Sequence, residues 1–125
     1  MPEVHEERKA TIKTQALADK FSRGLVKALQ TRDFRPVLDL FLEDVVMITA
    51  ENKSQGREPL LVYLKNLPKN LSVFIESPYP NMVSFLLRFP GSPSATRLVF
   101  YTSPDVNKFN EVQIPTSPTN VHWGG

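Results

Sequence analysis

The chain has 125 residues, 41% of them hydrophobic, which is enough for one domain with a buried core. Its formal charge is +2 with both signs mixed along the chain, so the pI of about 9.0 brings no directional field and no nucleic-acid partner is expected. The lack of cysteine excludes disulfides, thiolate zinc sites and cysteine nucleophiles, two histidines are too few for a histidine-rich metal centre, and no apolar run is long enough to span a membrane.

Residues 1–10 are charged and lack periodicity, which predicts a frayed or disordered lead containing His5. No apolar segment with a small-residue cleavage site stands in the first thirty residues, so no signal peptide is expected and the location is read as cytoplasmic. Residues 11–31 predict a long amphipathic helix with Ile12, Ala16, Leu17, Phe21, Leu25, Ala28 and Leu29 on its buried face. Gly24 within it either lets another element approach closely or is tolerated without purpose, the second reading being preferred.

Asp33 is placed to cap a second helix with Pro36 in its first turn, and Phe34, Val37, Leu38, Phe41 and Leu42 fall on one helical face. Glu43-Asp44 ends that helix, and Val45–Ile48 is a short β-branched strand. Residues 51–55 are turn material. Gly56 then permits a tight backbone approach, and Arg57-Glu58-Pro59 opens a third helix stopped by Pro68.

Four strands are expected in the second half, over 71–76, 82–89, 95–102 and 109–114, joined by turns rich in proline, glycine, serine or asparagine. Val83, Phe85, Leu87 and Phe89 alternate with Ser84 and Arg88. Leu98 and Phe100 alternate with Arg97, Val99 and Tyr101. Short connections imply antiparallel pairing, and helices followed by strands make an α+β domain. Residues 115–125 form a Pro/Thr-rich tail, expected extended or loose. Within it Val121-His122-Trp123 either folds back over the sheet's open end or has no role.

The helix ending in F-x-E/D-D, the strand after it, and G-R-E opening an apolar helix together resemble the nuclear transport factor 2-like superfamily, which includes SnoaL-like cyclases and ketosteroid isomerase. Asp33, Phe41, Glu43, Asp44, Gly56, Arg57, Glu58 and Tyr63 carry the likeness. The order of elements extends it over roughly 12–114, and the domain is drawn as 11–114. The resemblance implies a cone: three N-terminal helices packed on a strongly curved, mostly antiparallel sheet. It also implies an apolar pocket inside the cone and a homodimer formed through the outer sheet face.

The isomerase of that superfamily uses a carboxylate base with tyrosine and protonated-acid donors. Laid on this chain, the base position falls on Thr49, the tyrosine on Leu25 and the acid near Leu98. A hydroxyl is no base at neutral pH and leucine donates nothing, so isomerase chemistry is rejected. Scytalone dehydratase-like chemistry fails for want of histidines. A SnoaL-type cyclase needs one acid/base group, for which Glu76, Glu111 and Gln113 are the polar strand candidates; Thr49, Tyr63 and His122 are the other groups within reach of a pocket. No catalytic residue and no cofactor or metal is assigned.

Phe21, Leu25, Phe41, Met47, Thr49, Tyr63, Phe85, Leu87, Leu98 and Phe100 are the candidate pocket residues. Arg88, Arg97, Tyr101 and Glu111, with Val99 and Gln113, form an outward face whose mixture of arginine, aromatic and apolar groups suits an interface. Two readings follow. One is a domain binding a hydrophobic small molecule, with or without catalysis in the SnoaL manner. The other is a protein-interaction or dimerisation module whose interior is filled by its own Phe and Leu side chains.

Overall fold

The computed structural model describes residues 2–105, 107–114 and 121–122. Three helices, α1 (Pro2–Thr31), α2 (Arg35–Leu38) and α3 (Arg57–Lys65), accompany β1 (Phe41–Thr49), β2 (Lys53–Gln55), β3 (Ser72–Ile75), β4 (Met82–Arg88), β5 (Ser94–Thr102), β6 (Phe109–Ile114) and β7 (Val121–His122). One sheet runs β2-β1-β6-β5-β4-β3, with β7 pairing to β5. Every pairing is antiparallel except β1 with β6. The expected α+β architecture, helices on a mostly antiparallel sheet, is the one observed.

The helix α1 begins at Pro2, so the segment expected to be a frayed or disordered lead forms its first turns. Proline fits a first helical turn, and Glu6 to Ala10 are all good helix formers apart from their lack of apolar periodicity. The buried face of α1 is centred on Thr14, Leu17, Ala18, Phe21, Leu25, Ala28 and Leu29. Ile12 is 63% exposed and Ala16 is exposed too, against expectation. Each lies two residues from Thr14, which is the far side of a 3.6-residue helix. The Thr14 hydroxyl is shared between the carbonyls of Ala10 and Pro80, 2.8 Å from each, and so ties α1 to the turn before β4.

Gly24 is a contact point after all. A Cβ at this position would stand 3.2 Å from Val37 Cγ2, so glycine lets α2 close on α1. Helix α2 is a single turn, and Phe41 to Asp44, expected to extend it, belong to β1. Asp33 accepts the Arg35 N–H at 3.2 Å beside this turn. The apolar spacing from Phe34 to Leu42 fits a helix locally, but Phe41 pairs with Phe109 across the sheet and the non-local partner wins. Phe41 faces Phe109 and Val46 faces Glu111, so β1 carries extra residues over this interval, and Glu43 and Asp44 stand exposed there.

The G-R-E segment stabilises this irregularity. Gly56, at φ 102°, donates its N–H to the Val45 carbonyl at 2.8 Å. The Arg57 guanidinium donates to the Phe41 carbonyl through both Nε and a terminal nitrogen. Residues 53–55, expected as turn, form the short strand β2 against β1. Val121–His122, read as either folding back over the sheet's open end or without a role, pair with Ser94 and Ala95 of β5. Residues 115–120 and 123–125, including Trp123, and the side chains of His5 and His122 lie outside the described residues.

Candidate functional site

The alternation of strand residues sorts the sheet into two faces. Met47, Val83, Phe85, Leu87, Leu98, Phe100, Phe109 and Val112 join α1 and α3 in one core. Phe21, Phe41, Phe85, Phe100 and Phe109 are fully buried there. Phe21 lies 4.7 Å from Phe100, 4.9 Å from Phe85, 5.9 Å from Phe41 and 6.5 Å from Phe109, centroid to centroid. Phe100 lies 5.0 Å from Phe109 and 5.5 Å from Phe41. These are the separations of aromatic rings in contact. The side chains expected to line a hollow pack against one another between helices and sheet.

Of the pocket candidates, Phe21, Leu25, Phe41, Met47, Phe85, Leu87, Leu98 and Phe100 are therefore mutual core neighbours. Tyr63 is partly buried against them, and burial pushes its hydroxyl up to about 12, so it stays protonated at neutral pH. Thr49 is separate: its hydroxyl accepts the N–H groups of Glu51 and Asn52 at 3.3 and 3.1 Å, organising the turn into β2. The positions that would carry isomerase chemistry thus hold two core leucines and a turn threonine. Among the described residues no group of His, Cys, Asp and Glu is arranged to hold a metal ion.

The opposite face of the sheet brings the interface candidates together. Across the strands, Met82 pairs with Tyr101, Tyr101 with Glu111, and Glu111 with Val46. In the adjacent row Ser84 pairs with Val99, Val99 with Gln113, and Gln113 with Ile48. Leu86 pairs with Arg97, and Arg88 shares this face further along β4. Val46, Ile48, Leu86, Val99 and Tyr101 are only half-buried. Ile48, Val99 and Ile114, with Thr49, Arg97 and Gln113, line a cavity of about 440 Å3.

Polar groups frame this apolar strip. The Glu76 carboxylate accepts from Arg97 at 2.9 and 3.1 Å and from the Ser84 hydroxyl at 2.6 Å. The Arg97 hydrogen bonds, and then that of Ser84, hold the Glu76 carboxyl below its usual range, so it remains an anion and not a general acid. Glu111 accepts from Gln113 at 3.1 Å. The contribution of β1, through Val46 and Ile48, was not foreseen. Extending the strand back to Phe41 would have set its alternation and revealed it.

No protein-family model matches the chain, and no curated protein sequence matches it significantly. Solved structures do. A putative ketosteroid isomerase from Kribbella flavida is 19% identical, with 92% of this chain and 85% of that one covered at a TM-score of 0.59. A SnoaL-like protein of unknown function from Burkholderia thailandensis is also 19% identical, over 80% of this chain and 94% of that one, at 0.58. A de novo designed protein with a curved β-sheet reaches 0.62 at 10% identity, over 85% and 86% of the two chains. A designed chain matching this well shows that the likeness follows the scaffold and carries no activity with it. The chain has the nuclear transport factor 2-like cone fold.

Proposed function

We propose that this chain is a protein-interaction module that pairs with a second copy of itself through the outer face of its sheet. The carrying observation is the exchange of apolar surface between the two faces. The hollow that would receive a hydrophobic ligand is occupied by Phe21, Phe41, Phe85, Phe100 and Phe109, while Val46, Ile48, Leu86, Val99 and Tyr101 remain half-open on the other side.

Charge placement supports a second copy as the occupant. Arg97 and Glu111 stand at diagonal corners of the Val99–Gln113 pair, one on β5 and one on β6. A two-fold axis laid across that pair sets Arg97 of each protomer against Glu111 of its partner, the self-complementary arrangement of an isologous dimer. The apolar strip between them supplies the association free energy, and the charge pairs fix the register.

Sedimentation velocity tests this. The wild type is expected to sediment as a dimer at micromolar concentration. Tyr101→Glu places a like charge beside Glu111 and is expected to shift it to monomer with its circular dichroism unchanged. A wild-type monomer, or a Tyr101→Glu dimer, would remove the reading. A hydrophobic small molecule that raises the melting temperature and is displaced by Val99→Arg would instead assign the 440 Å3 groove to a ligand.

A further inference from the structure

Away from the sheet face, the fold joins two basic segments that are far apart in sequence. Arg32 and Arg35 flank the α1–α2 junction, and Lys65 ends α3. All three surround a notch of about 210 Å3 that also includes Asp33, with Leu38 and Leu61 contributing apolar surface. Three cations stand against Asp33, with Asp39 also acting on Arg35, which leaves a local excess of positive charge.

Its geometry is fixed by Arg32. This residue has φ 65°, the conformation at a helix C-terminus where glycine is the ordinary occupant, and its N–H closes α1 onto the Ala28 carbonyl at 2.7 Å. The guanidinium lies 5.4 Å from the Phe34 ring centre and donates to the Lys65 backbone carbonyl at 3.0 Å. That bond draws the end of α3 to the end of α1, and Lys65 lines the same notch. Arg35 is bound to Asp33 at 2.9 and 3.1 Å through a carboxylate fork, the shape a phosphate also presents. Asp33 thus occupies the anion position from within the chain.

We infer that the notch between the ends of α1 and α3 binds the phosphate group of a small aryl or alkyl phosphate monoester, with Arg32, Arg35 and Lys65 holding the phosphate and Leu38 and Leu61 taking the apolar body. A monoester carries close to two negative charges at pH 7, which suits a notch with an excess of cations. Arg35 turns from Asp33 to the ligand, so Asp33 is the competitor that sets the affinity.

The probe is phenyl phosphate, titrated into the full chain and followed by amide NMR shifts at low ionic strength, where screening is weakest. Saturable shifts confined to residues around 32–38 and 61–65 are expected. Lys65→Gln should weaken binding about tenfold; it removes the ammonium while leaving the carbonyl that Arg32 uses, so the fold contact survives. Arg32→Gly should weaken it at least as much, and glycine suits the backbone there. Asp33→Asn should tighten it several-fold by releasing Arg35. Absence of saturation at millimolar phenyl phosphate would overturn the inference, as would binding indifferent to both Lys65→Gln and Asp33→Asn. Inorganic phosphate binding as tightly as phenyl phosphate would remove the apolar half of it. A phosphotyrosine peptide binding far more tightly than phenyl phosphate would overturn the small-molecule source in favour of a protein one.

Discussion

Replacing Phe21 by alanine tests whether the cone is filled or hollow. The ring is fully buried, with four other phenylalanine rings between 4.7 and 6.5 Å away. Truncating a phenylalanine in a close-packed core costs about 3–5 kcal/mol, the lost transfer free energy plus that of the cavity left behind. The site should sit in the upper part of that range. Its neighbours come from β1, β4, β5 and β6, strands tied to one another in a single sheet, so they cannot easily collapse inward. Domains of this size have stabilities of roughly 5–15 kcal/mol, so the variant should fold but lose much of its margin. Urea unfolding followed by far-ultraviolet circular dichroism measures the difference, with the slope expected to match wild type.

A second arm keeps the experiment decisive. The new cavity is lined by aromatic carbon and should accept benzene. At ten times its dissociation constant benzene would return about 1.4 kcal/mol to the variant. Wild type should gain almost nothing, because its own rings hold the space. A cost below about 1.5 kcal/mol for Phe21→Ala, or an equal response of wild type to benzene, would mean that the interior is open and that the interaction reading rests on a mistaken core.

Three other perturbations have definite signs. Arg57→Ala removes two donors from the Phe41 carbonyl and should cost about 1.5–3 kcal/mol in urea unfolding; a change within about 0.5 kcal/mol would mean the β1 irregularity is held without it. Tyr63 has a folded-state value raised from 10.0 to about 12, so stability is intact below pH 10 and falls as pH rises from there to 12, by at most about 2.7 kcal/mol. Tyr63→Phe should flatten that part of the alkaline curve, and superimposable wild-type and variant curves would contradict the burial. Glu76 has a depressed folded-state value, so its contribution is present above the ordinary 4.5 and is lost as pH falls below it. Glu76→Gln should reduce the acid-side slope modestly, since the carboxylate and Arg97 are both partly exposed; an unchanged slope would show that solvent has cancelled the pair.

Local alternation made β4, β5 and β6 readable, and with them the membership of the outer face. Arg97, Tyr101 and Glu111 fall where period-two patterning puts them because each strand has one side in the core. Features set by distant partners were hidden. Phe34 to Leu42 has helical spacing, yet Phe41 is claimed by Phe109 across the sheet. Gly24 reads as a weak spot until Val37 is seen 3.2 Å from its missing Cβ. Arg32 and Lys65 have no link in the sequence, and only the fold brings the Arg32 guanidinium to the Lys65 carbonyl. In each case the deciding partner lies thirteen or more positions away, beyond the reach of any periodicity.

Whether the interior is open belongs to the same class, and it decides the functional reading. A phenylalanine that lines a cavity and one that fills it leave the same mark in sequence: an apolar residue on the inward side of a strand. The difference is a matter of volume, and volume depends on which rings meet. Here Phe21 from α1 reaches the rings of Phe85 and Phe100 on adjacent strands at under 5 Å, and Phe41 and Phe109 close the remaining side. A scaffold that uses its aromatics in this way places ring against ring behind its helices. On the interaction reading proposed above, recognition falls to the outer surfaces, where the strip around Val99 and the notch between α1 and α3 each join apolar carbon to charge.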